Sequence, residues 1–300
     1  MYSKLLVFGS IAKDEIMYFP GQFGQFIDKD NINKLNVSFL AEKLEQTLGG
    51  IATNITYNYK LLSDKPVYVL GSVGIDSQVF TDFFEKNNIN TDHLLVSTEL
   101  YSGTYKAITD STQNQIGAFY YGANSESIGI DLDVIDDVKN ALLVISANES
   151  SAFLKIQNQA IKLGIDYMYD PGMCLTWIKD EDLRAGIMGS KYLIANDYET
   201  DQILKRLNIT LEDIIKEGII VITTLGKDGV KYISSDSDIF VPSFKVDKVV
   251  DPTGAGDSFR GGFLAGILDG KSVKDSLTQG NLIASISVQS KGGVGHILSK

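Results

Sequence analysis

Short, almost uninterrupted apolar runs alternate with helical patterns through much of the 300-residue chain. The strands predicted from these runs are Leu5–Phe8, Val67–Leu70, Ala141–Ser146, Ile165–Tyr169, Tyr192–Ala195 and Ile219–Thr223. The helices predicted between them are Ser38–Thr47, Ala52–Leu62, Gln78–Asn87, Ala152–Leu163, Tyr198–Leu207 and Leu211–Lys216. Apolar strands separated by helices indicate a mostly parallel sheet that is covered by helices on both faces. The expected fold class is therefore α/β.

Two parts of the chain do not fit a strand–helix–strand unit and predict a small separate sheet. Tyr101–Ala107 and Gln115–Tyr121 flank a polar turn, as the two strands of a hairpin would. Ile11–Phe26 follows the first strand directly and contains Pro20, so an extended segment is expected there. We interpret these parts as a β-lid projecting from the main sheet, with a plain edge hairpin as the alternative.

A further hairpin is predicted near the other end of the chain. Val230–Ile233 and Ile239–Phe244 are separated by a turn that is rich in serine and aspartate. We expect this hairpin to extend the main sheet at one edge.

Charge and composition exclude several classes of function. The 27 basic and 38 acidic residues give a net charge of −11, which disfavours binding to nucleic acid. Cys174 is the single cysteine, so no intramolecular disulfide forms. Cys174, His93 and His296 are too far apart in the sequence to match the ligand spacing of a metal site. No apolar run approaches the length of a membrane span, and the apolar start is too short for a signal peptide. A cytoplasmic location without membrane partners is expected.

The segment DPTGAGDSFRGG at residues 251–262 carries the clearest functional signal. It follows the apolar run Val246–Val250 and opens a segment of small residues, which predicts a strand, a glycine turn and a helix. Gly254 and Gly256 allow a tight turn whose N–H groups converge, and the helix N-terminus adds its positive dipole end. Asp257 lies in the same turn, so a base is expected beside an anion site.

Two common phosphate-binding motifs do not fit this chain. A dinucleotide fingerprint needs a third glycine at the position of Phe259, which disfavours a dinucleotide-dependent oxidoreductase. A Walker loop needs four residues between its first glycine and the Gly-Lys-Ser sequence. In this chain only three residues separate Gly266 from Gly270, which begins the sequence Gly-Lys-Ser. The site is therefore of another kind.

The whole segment 251–262 resembles the C-terminal signature of the ribokinase-like (phosphofructokinase B type) family of carbohydrate and nucleoside kinases. The resemblance implies that Asp257 is the catalytic base. It also implies that the backbone of Gly254, Ala255, Gly256 and Asp257 forms the anion hole for the transferred phosphoryl group.

The same resemblance implies a ribokinase-like three-layer sandwich that forms a single kinase domain over residues 1–300. Its mostly parallel central sheet would carry a small β-sheet lid, formed by about 11–36 and 99–123. The motifs of the family occur in the expected order from Gly9 to Gly295, so the resemblance covers nearly the whole chain.

Four residues match the substrate-binding positions of this family. Gly49 and Gly50 precede a predicted helix that contains Asn54, and the resemblance implies that all three hold substrate hydroxyls. Asp14 matches an acidic residue that accepts hydrogen bonds from sugar hydroxyls, since a carboxylate can accept from two neighbouring hydroxyls at once. The alternatives are a turn with a capped helix for the first three and a solvated loop acid for Asp14.

Five residues match the nucleotide-binding motifs. Asn196 and Glu199 match an Asn-x-x-Glu motif at a strand end. The resemblance implies that Glu199 contacts Mg²⁺ through water, because this ion usually keeps several of its waters. A helix N-cap beside an acid is the alternative. Thr224, Gly226 and Gly229 match a nucleotide loop, for which a simple hairpin turn is the alternative.

The remaining family positions concern the adenine and a second ion. Asn281 matches a position that lines the adenine pocket, which residues 291–295 would close. The resemblance implies ATP and Mg²⁺ as cofactors, and it raises a monovalent cation, K⁺, near Asp251 and Thr253.

Within the family the chain is most similar to the adenosine-kinase-type members, through residues 9–23, 35–40, 49–62 and 117–124. Aromatic side chains near the expected lid are suited to stacking on a nucleobase. They are Phe19, Phe23, Phe26, Phe119 and Tyr120. The alternative is that some of them pack the lid against the domain or against a second subunit.

We therefore predict a kinase that transfers the γ-phosphoryl group of ATP to the primary hydroxyl of a nucleoside, with adenosine first, in purine salvage. A sugar or sugar-phosphate kinase shares every catalytic motif and is the nearest alternative. A non-catalytic nucleotide-binding regulator is disfavoured by the intact Asp257, Glu199 and glycine turn. A homodimer formed through the lid is also expected from the resemblance.

Overall fold

The computed structural model describes residues 2–27 and 36–298 of the chain. The strands in these residues are β1 (Lys4–Phe8), β2 (Ala12–Tyr18), β3 (Lys43–Gly49), β4 (Val67–Val73), β5 (Leu94–Val96), β6 (Gly103–Thr109), β7 (Gln115–Tyr120), β8 (Ala141–Ser146), β9 (Tyr167–Asp170), β10 (Tyr192–Asn196), β11 (Ile220–Thr224), β12 (Val230–Ile233) and β13 (Asp238–Val241). The α-helices are α1 (Ile51–Lys60), α2 (Gln78–Lys86), α3 (Ser150–Leu163), α4 (Asp180–Met188), α5 (Asp197–Leu207), α6 (Leu211–Lys216), α7 (Ala255–Leu268) and α8 (Val273–Ser287).

Nine strands form the larger sheet in the order β13-β12-β11-β10-β9-β8-β1-β4-β5. All neighbouring pairs from β11 to β5 are parallel, and the β12–β13 hairpin extends the sheet in antiparallel fashion at one edge. Side chains of β1 alternate between two apolar clusters, with Leu6 and Phe8 in one and Leu5 and Val7 in the other. Helices α3 to α6 cover the first face and α1, α2, α7 and α8 the second. The expected α/β fold and the edge hairpin are confirmed.

A separate four-stranded sheet has the order β3-β2-β6-β7. Strand β2 pairs in parallel with β6 and in antiparallel fashion with β3, while β6 and β7 form the expected hairpin. The helix predicted over Ser38–Thr47 is wrong, because residues 43–49 form β3. Its glutamate, lysine, leucine and glutamine favour a helix locally, but pairing with all seven residues of β2 decides the structure. Part of the predicted lid, residues 28–35, lies outside the described residues.

Three further local differences separate the prediction from the structure. Val246–Val250 is not a strand; Val249 and Val250 are exposed, and this segment connects the edge hairpin to α7. Strand β5, with three residues, and helix α4 were not predicted. Among the described residues, no helix has both the length and the apolar character that crossing a bilayer requires.

Candidate active site

The parallel strands end at one edge of the large sheet, where α7 also begins. Polar residues close several strands there, among them Ser146 of β8, Asp170 of β9 and Asn196 of β10. In open α/β sheets, ligands bind at the carboxyl ends of the strands. The chain leaves β1 at this edge and enters β2 of the small sheet, so the small sheet is attached beside the same edge.

The predicted glycine turn forms the N-terminus of α7. Gly254 is the N-cap residue with a φ of 76°, a left-handed conformation that favours glycine. A Cβ placed on Gly254 would lie 2.6 Å from the Cα atom of Gly293, so the close approach of two loops also requires glycine. The N–H groups in the first turn of a helix have no intrahelical carbonyl partner and favour an anion. Ala255, Gly256 and Asp257 form this first turn. The N–H of Ala255 donates to the carbonyl oxygen of Pro252 at 3.2 Å, so an anion would be held mainly by the N–H groups of Gly256 and Asp257.

Asp257 lies half-buried in that turn. Its Oδ2 atom accepts a hydrogen bond of 2.9 Å from Nδ2 of Asn54 on α1. Burial raises the pKa of Asp257 to about 6, although the nearby Arg260 and the Asn54 hydrogen bond lower it; Asp170 raises it further. A carboxylate with a pKa near neutrality is mostly ionised at pH 7 and is well matched to accept a proton from a hydroxyl.

Asn54, predicted to bind substrate, contacts the predicted base. One amide proton goes to Asp257, while its Oδ1 atom is buried without a hydrogen-bond partner among the described residues. Gly293 lies against this side chain, because a Cβ placed there would be 2.5 Å from Cγ of Asn54. Asn54 therefore connects α1, the glycine turn and the C-terminal loop in one site.

The other predicted substrate residues lie together where the small sheet meets α1. Asp14 of β2 lies beside Gly49, where a Cβ would be 2.8 Å from Oδ2 of Asp14. Gly50, the N-cap of α1, has a φ of 87°, and a Cβ there would be 2.5 Å from the carbonyl oxygen of Ser10. Burial, with a contribution from Asp251, raises the pKa of Asp14 to about 6. Asp14 is therefore a half-buried strand residue and not a solvated loop acid.

Asp251 organises the loops around the glycine turn. Its Oδ1 atom accepts the N–H of Thr253 at 2.9 Å, and its Oδ2 atom accepts the N–H of Gly292 at 3.0 Å. Next to Gly292, Lys291 forms a salt bridge with Glu45 on β3. The small sheet is thus connected through the C-terminal loop to the residues that precede α7.

Asn196 and Glu199 form a capping box at the start of α5. The side chain of Asn196 accepts the N–H of Glu199 at 2.8 Å, and Oε2 of Glu199 accepts the N–H of Asn196 at 2.9 Å. The two residues therefore cap α5, as the alternative interpretation expected. The cap uses one of the two carboxylate oxygens of Glu199. Glu199 is half-buried, and its charge contributes to raising the pKa of the Arg260 guanidinium.

The predicted nucleotide loop divides into two parts. Thr224 ends β11 beside Asn196, its partner in the sheet register. Gly226 has a φ of 55°, and a Cβ there would find no neighbour within 4 Å, so this backbone is open to a ligand. A Cβ on Gly229 would lie 2.1 Å from the carbonyl oxygen of Val241, so Gly229 is required for the close packing of the edge hairpin.

Asn281 on α8 also has a structural partner. Its Nδ2 atom donates to the carbonyl oxygens of Val241 at 3.1 Å and Pro242 at 3.0 Å. These bonds use the amide protons to hold the segment after β13 against α8. The prediction that Asn281 lines an adenine pocket is not tested by these contacts.

Most of the predicted stacking aromatics pack with one another. Phe19, Phe23 and Phe26 form a cluster with Phe39, with ring centroids 4.9–6.2 Å apart. The cluster follows the end of β2, about 15 Å along that strand from Asp14. These rings therefore stabilise the far end of the small sheet. Phe119 and Tyr120 on β7 are instead 43% and 47% exposed.

Sequence analysis missed a buried ion pair beside Asp257. Nη2 of Arg260 donates to Oδ1 of Asp170 at 2.6 Å, and Oδ2 of Asp170 accepts the hydroxyl of Ser146 at 2.8 Å. The available signals were a basic residue among the small and apolar residues of α7 and polar residues that close two apolar strands. Among the described residues, no cluster of three histidine, cysteine or acidic side chains could hold a metal ion.

The architecture is the ribokinase-like fold, as comparison with solved kinases shows. The chain belongs to the pfkB family of carbohydrate kinases, whose model matches residues 21–298. It is 27% identical over 273 residues to a nucleoside kinase of Methanothermobacter thermautotrophicus, covering 90% of this chain and 87% of the relative. It is 26% identical to a ribokinase of Lactococcus lactis, with coverage of 98% and 93%. It is therefore a phosphotransferase with an alcohol group as acceptor.

Two solved nucleoside kinases are similar over nearly their whole length. The ligand-free enzyme of Burkholderia thailandensis has a TM-score of 0.86 and 29% identity, with 96% of this chain and 95% of that chain covered. The enzyme of Methanocaldococcus jannaschii has a TM-score of 0.86 and 26% identity, with 98% and 94% covered. The Burkholderia enzyme has also been solved with inosine.

Proposed function

We propose that this chain transfers the γ-phosphoryl group of ATP to the primary hydroxyl of a nucleoside, adenosine among them. The observation that carries the proposal is the position of Asp257, a half-buried carboxylate with a raised pKa in the first turn of α7, hydrogen-bonded to Asn54. The base and the anion-binding N–H groups then belong to one helix turn. Similarity to nucleoside kinases supports the nucleoside as acceptor.

In the proposed reaction, Asp257 accepts the proton of the attacking hydroxyl as that oxygen bonds to the γ-phosphorus of ATP and ADP leaves. The N–H groups of the turn formed by Gly254, Ala255, Gly256 and Asp257 stabilise the negative charge on the transferred group. Asn54 holds the Asp257 carboxylate in place. Asp14, beside Gly49, accepts hydrogen bonds from the ribose hydroxyls.

The proposed metal ions fit the residues to different degrees. When bound, Mg²⁺ neutralises phosphate charge, and the Glu199 oxygen that the capping box leaves free suits a water-bridged contact. K⁺ at Asp251 and Thr253 would have to share carboxylate oxygens that already accept backbone N–H groups. Turnover measured against Mg²⁺, and in KCl against tetramethylammonium chloride, tests both ions.

The register of the small sheet supports a nucleoside over a free sugar. Asp14 pairs with Thr47 on one side and Tyr105 on the other, and Tyr105 pairs with Phe119. Directly paired residues point to the same face of a sheet, so Phe119 shares the face of Asp14, two strands away at about 10 Å. If the ribose of a nucleoside binds to Asp14, its base can extend towards the exposed ring of Phe119. A free ribose has no base and would not use this aromatic ring.

Phe119→Ala is expected to lower kcat/KM for adenosine about 5-fold to 10-fold, because a stacked ring contributes about 1 kcal/mol. Ribose turnover, if present, should not change. Tyr120→Ala is the matched control, since Tyr120 is equally exposed, pairs with Thr104 and points to the opposite face. Steady-state kinetics with adenosine, inosine and ribose measure the effect. Equal losses in both variants, or a preference of the wild-type protein for ribose, would reject the nucleoside proposal.

Asp14→Asn is expected to lower kcat/KM for adenosine about 100-fold, because an ionised acceptor of two hydroxyls is replaced by an amide. The loss should shrink for 2′,3′-dideoxyadenosine, which lacks those hydroxyls. Glu15→Gln is the control, because Glu15 is the next residue of β2 and pairs with Lys106 on the other face. A loss that is the same for both nucleosides would remove Asp14 from hydroxyl recognition.

We also propose a homodimer through the small sheet. Strand β7 is an edge strand of that sheet and is exposed along its whole length, so its backbone is open to pairing with a second copy of this chain. Light scattering of the full chain tests the dimer, and a monomer at micromolar concentration would reject it.

A further inference from the structure

Arg260 brings a buried cation to the region behind the glycine turn. It lies on α7 one helical turn after Asp257 and is only 8% exposed. Its partner Asp170, at the end of β9, is 3% exposed and is itself fixed by the hydroxyl of Ser146. The ion pair therefore joins the helix that carries the proposed base to the strand ends of the main sheet.

The salt bridge with Asp170 uses only one end of the guanidinium. Nη1 lies against the glycine turn, because a Cβ placed on Gly256 would be 2.7 Å from it. Nε is buried without a hydrogen-bond partner among the described residues. Buried ion pairs are weak evidence for stability, and an unpaired buried donor is costly. These features indicate that the charge serves the site and not only the core.

The charged groups around this guanidinium come from three elements. Asp257 lies on the same helix, Asp170 on β9 and Glu199 at the start of α5, and all three raise the pKa of Arg260. In return, Arg260 lowers the pKa of Asp257 against the effect of burial, whereas Asp170 raises it. Arg260 thus contacts one carboxylate, that of Asp170, and lies within electrostatic range of two more beside the place where phosphate is proposed to bind.

We propose that Arg260 is a positioning residue for phosphoryl transfer, held by Asp170 against the glycine turn, where its charge supports the Asp257 carboxylate and the anion bound at the turn. This inference rests on the proposed function. The chain's own residues supply a fixed positive charge behind the backbone anion hole, in addition to the helix dipole. A side chain at Gly256 would displace Nη1 from the turn.

The variants must separate this role from a purely structural ion pair. Arg260→Met alone leaves Asp170 buried and unpaired, so that variant can fail through unfolding. The double variant Arg260→Met/Asp170→Asn removes both charges and keeps a polar partner for Ser146. Asp170→Asn alone keeps the guanidinium without its carboxylate, and Arg260→Lys keeps a cation without the planar fork.

The deciding measurement is a carbon-13 NMR titration of the Asp257 carboxyl carbon in the full chain labelled at aspartate, with Asp257→Asn for assignment. We expect the Asp257 midpoint to move to higher pH in the double variant, because the lost cation lowers the pKa of Asp257 more than the lost Asp170 carboxylate raises it. In Asp170→Asn it should move to lower pH, and in Arg260→Lys it should stay near the wild-type value. An unchanged or lower midpoint in the folded double variant would overturn the inference.

Steady-state kinetics provide a second measurement. If the Arg260–Asp170 ion pair had only a structural role, its removal would not change the pH profile of the folded enzyme. The acidic limb of kcat/KM should shift in the same direction as each NMR midpoint, and kcat of the double variant should fall about 10-fold or more even above that limb. A folded double variant with wild-type kcat would reject the role at the anion. The NMR titration needs no turnover, so it tests the role of Arg260 independently of activity. If the wild-type protein phosphorylates none of the acceptors offered, the proposed function is rejected, and the titration still decides whether Arg260 acts on Asp257.

Discussion

Asp257→Asn is expected to lower kcat about 1,000-fold with adenosine and ATP at saturation. An amide cannot accept the proton of the attacking hydroxyl, and a positioned base contributes about 100-fold to 10,000-fold. The Asn54 contact and the helix turn can both persist with asparagine, so ATP binding should be retained. The measurement is ADP release at steady state, with nucleotide binding followed by calorimetry.

The same substitution is expected to increase stability at pH 7. Burial raises the pKa of Asp257 from 3.8 to about 6, so the folded protein binds more protons than the unfolded chain between these values. The free energy of unfolding therefore falls as pH rises through this interval, and asparagine removes that loss, which is about 3 kcal/mol at most. Asp64→Asn, at an exposed acid in the segment after α1, is the control and should change neither property. A kcat within 3-fold of wild type would remove Asp257 from the role of base.

Gly254→Ala is expected to lower kcat about 100-fold. Its φ of 76° is strained for alanine, and the added Cβ would lie 2.6 Å from Cα of Gly293 and 3.3 Å from Nδ2 of Asn54. The turn must move to relieve this contact, so its N–H groups and Asp257 lose their alignment. Steady-state kinetics and urea unfolding measure the two consequences separately.

Gly218→Ala is the matched control for this prediction. Gly218 has a φ of 82° in the turn after α6, and a Cβ there would have no neighbour within 4 Å. Both variants should lose about 1 kcal/mol of stability or more from backbone strain. Only Gly254→Ala should lose activity. Equal kinetic effects would mean that the glycine turn acts through general stability and not through the site.

The sequence predicts elements well where local pattern and final environment agree. Strand Ala141–Ser146 and helix Leu211–Lys216 were predicted with their observed bounds. Ser38–Thr47 was wrong because its helix-favouring residues are held in a strand by β2, which no local pattern reveals. The strand predicted over Val246–Val250 was wrong. The prediction rested on its apolar residues alone, and among the described residues no neighbouring strand pairs with this segment.

The site shows the same limit. The glycine turn and Asp257 are one continuous motif, so their proximity could be predicted. The Arg260–Asp170 pair joins residues 90 positions apart, and the Asn54–Asp257 hydrogen bond joins residues 203 positions apart. Such contacts depend on the packing of α7 against the sheet and α1. The spacing of the nucleotide-loop motif also could not show that Gly229 is needed for packing in the edge hairpin. The carbonyl oxygen that leaves no room for a side chain on Gly229 belongs to Val241, on another strand.

Transfer of label from ATP carrying phosphorus-32 at the γ-position tests the proposed reaction directly. With adenosine and Mg²⁺ present, we expect the label in adenosine 5′-monophosphate, with one ADP formed per labelled nucleotide and about 1,000-fold slower transfer by Asp257→Asn. Label released only as inorganic phosphate, or transferred to ribose and to none of the nucleosides offered, would contradict a nucleoside kinase with Asp257 as its base.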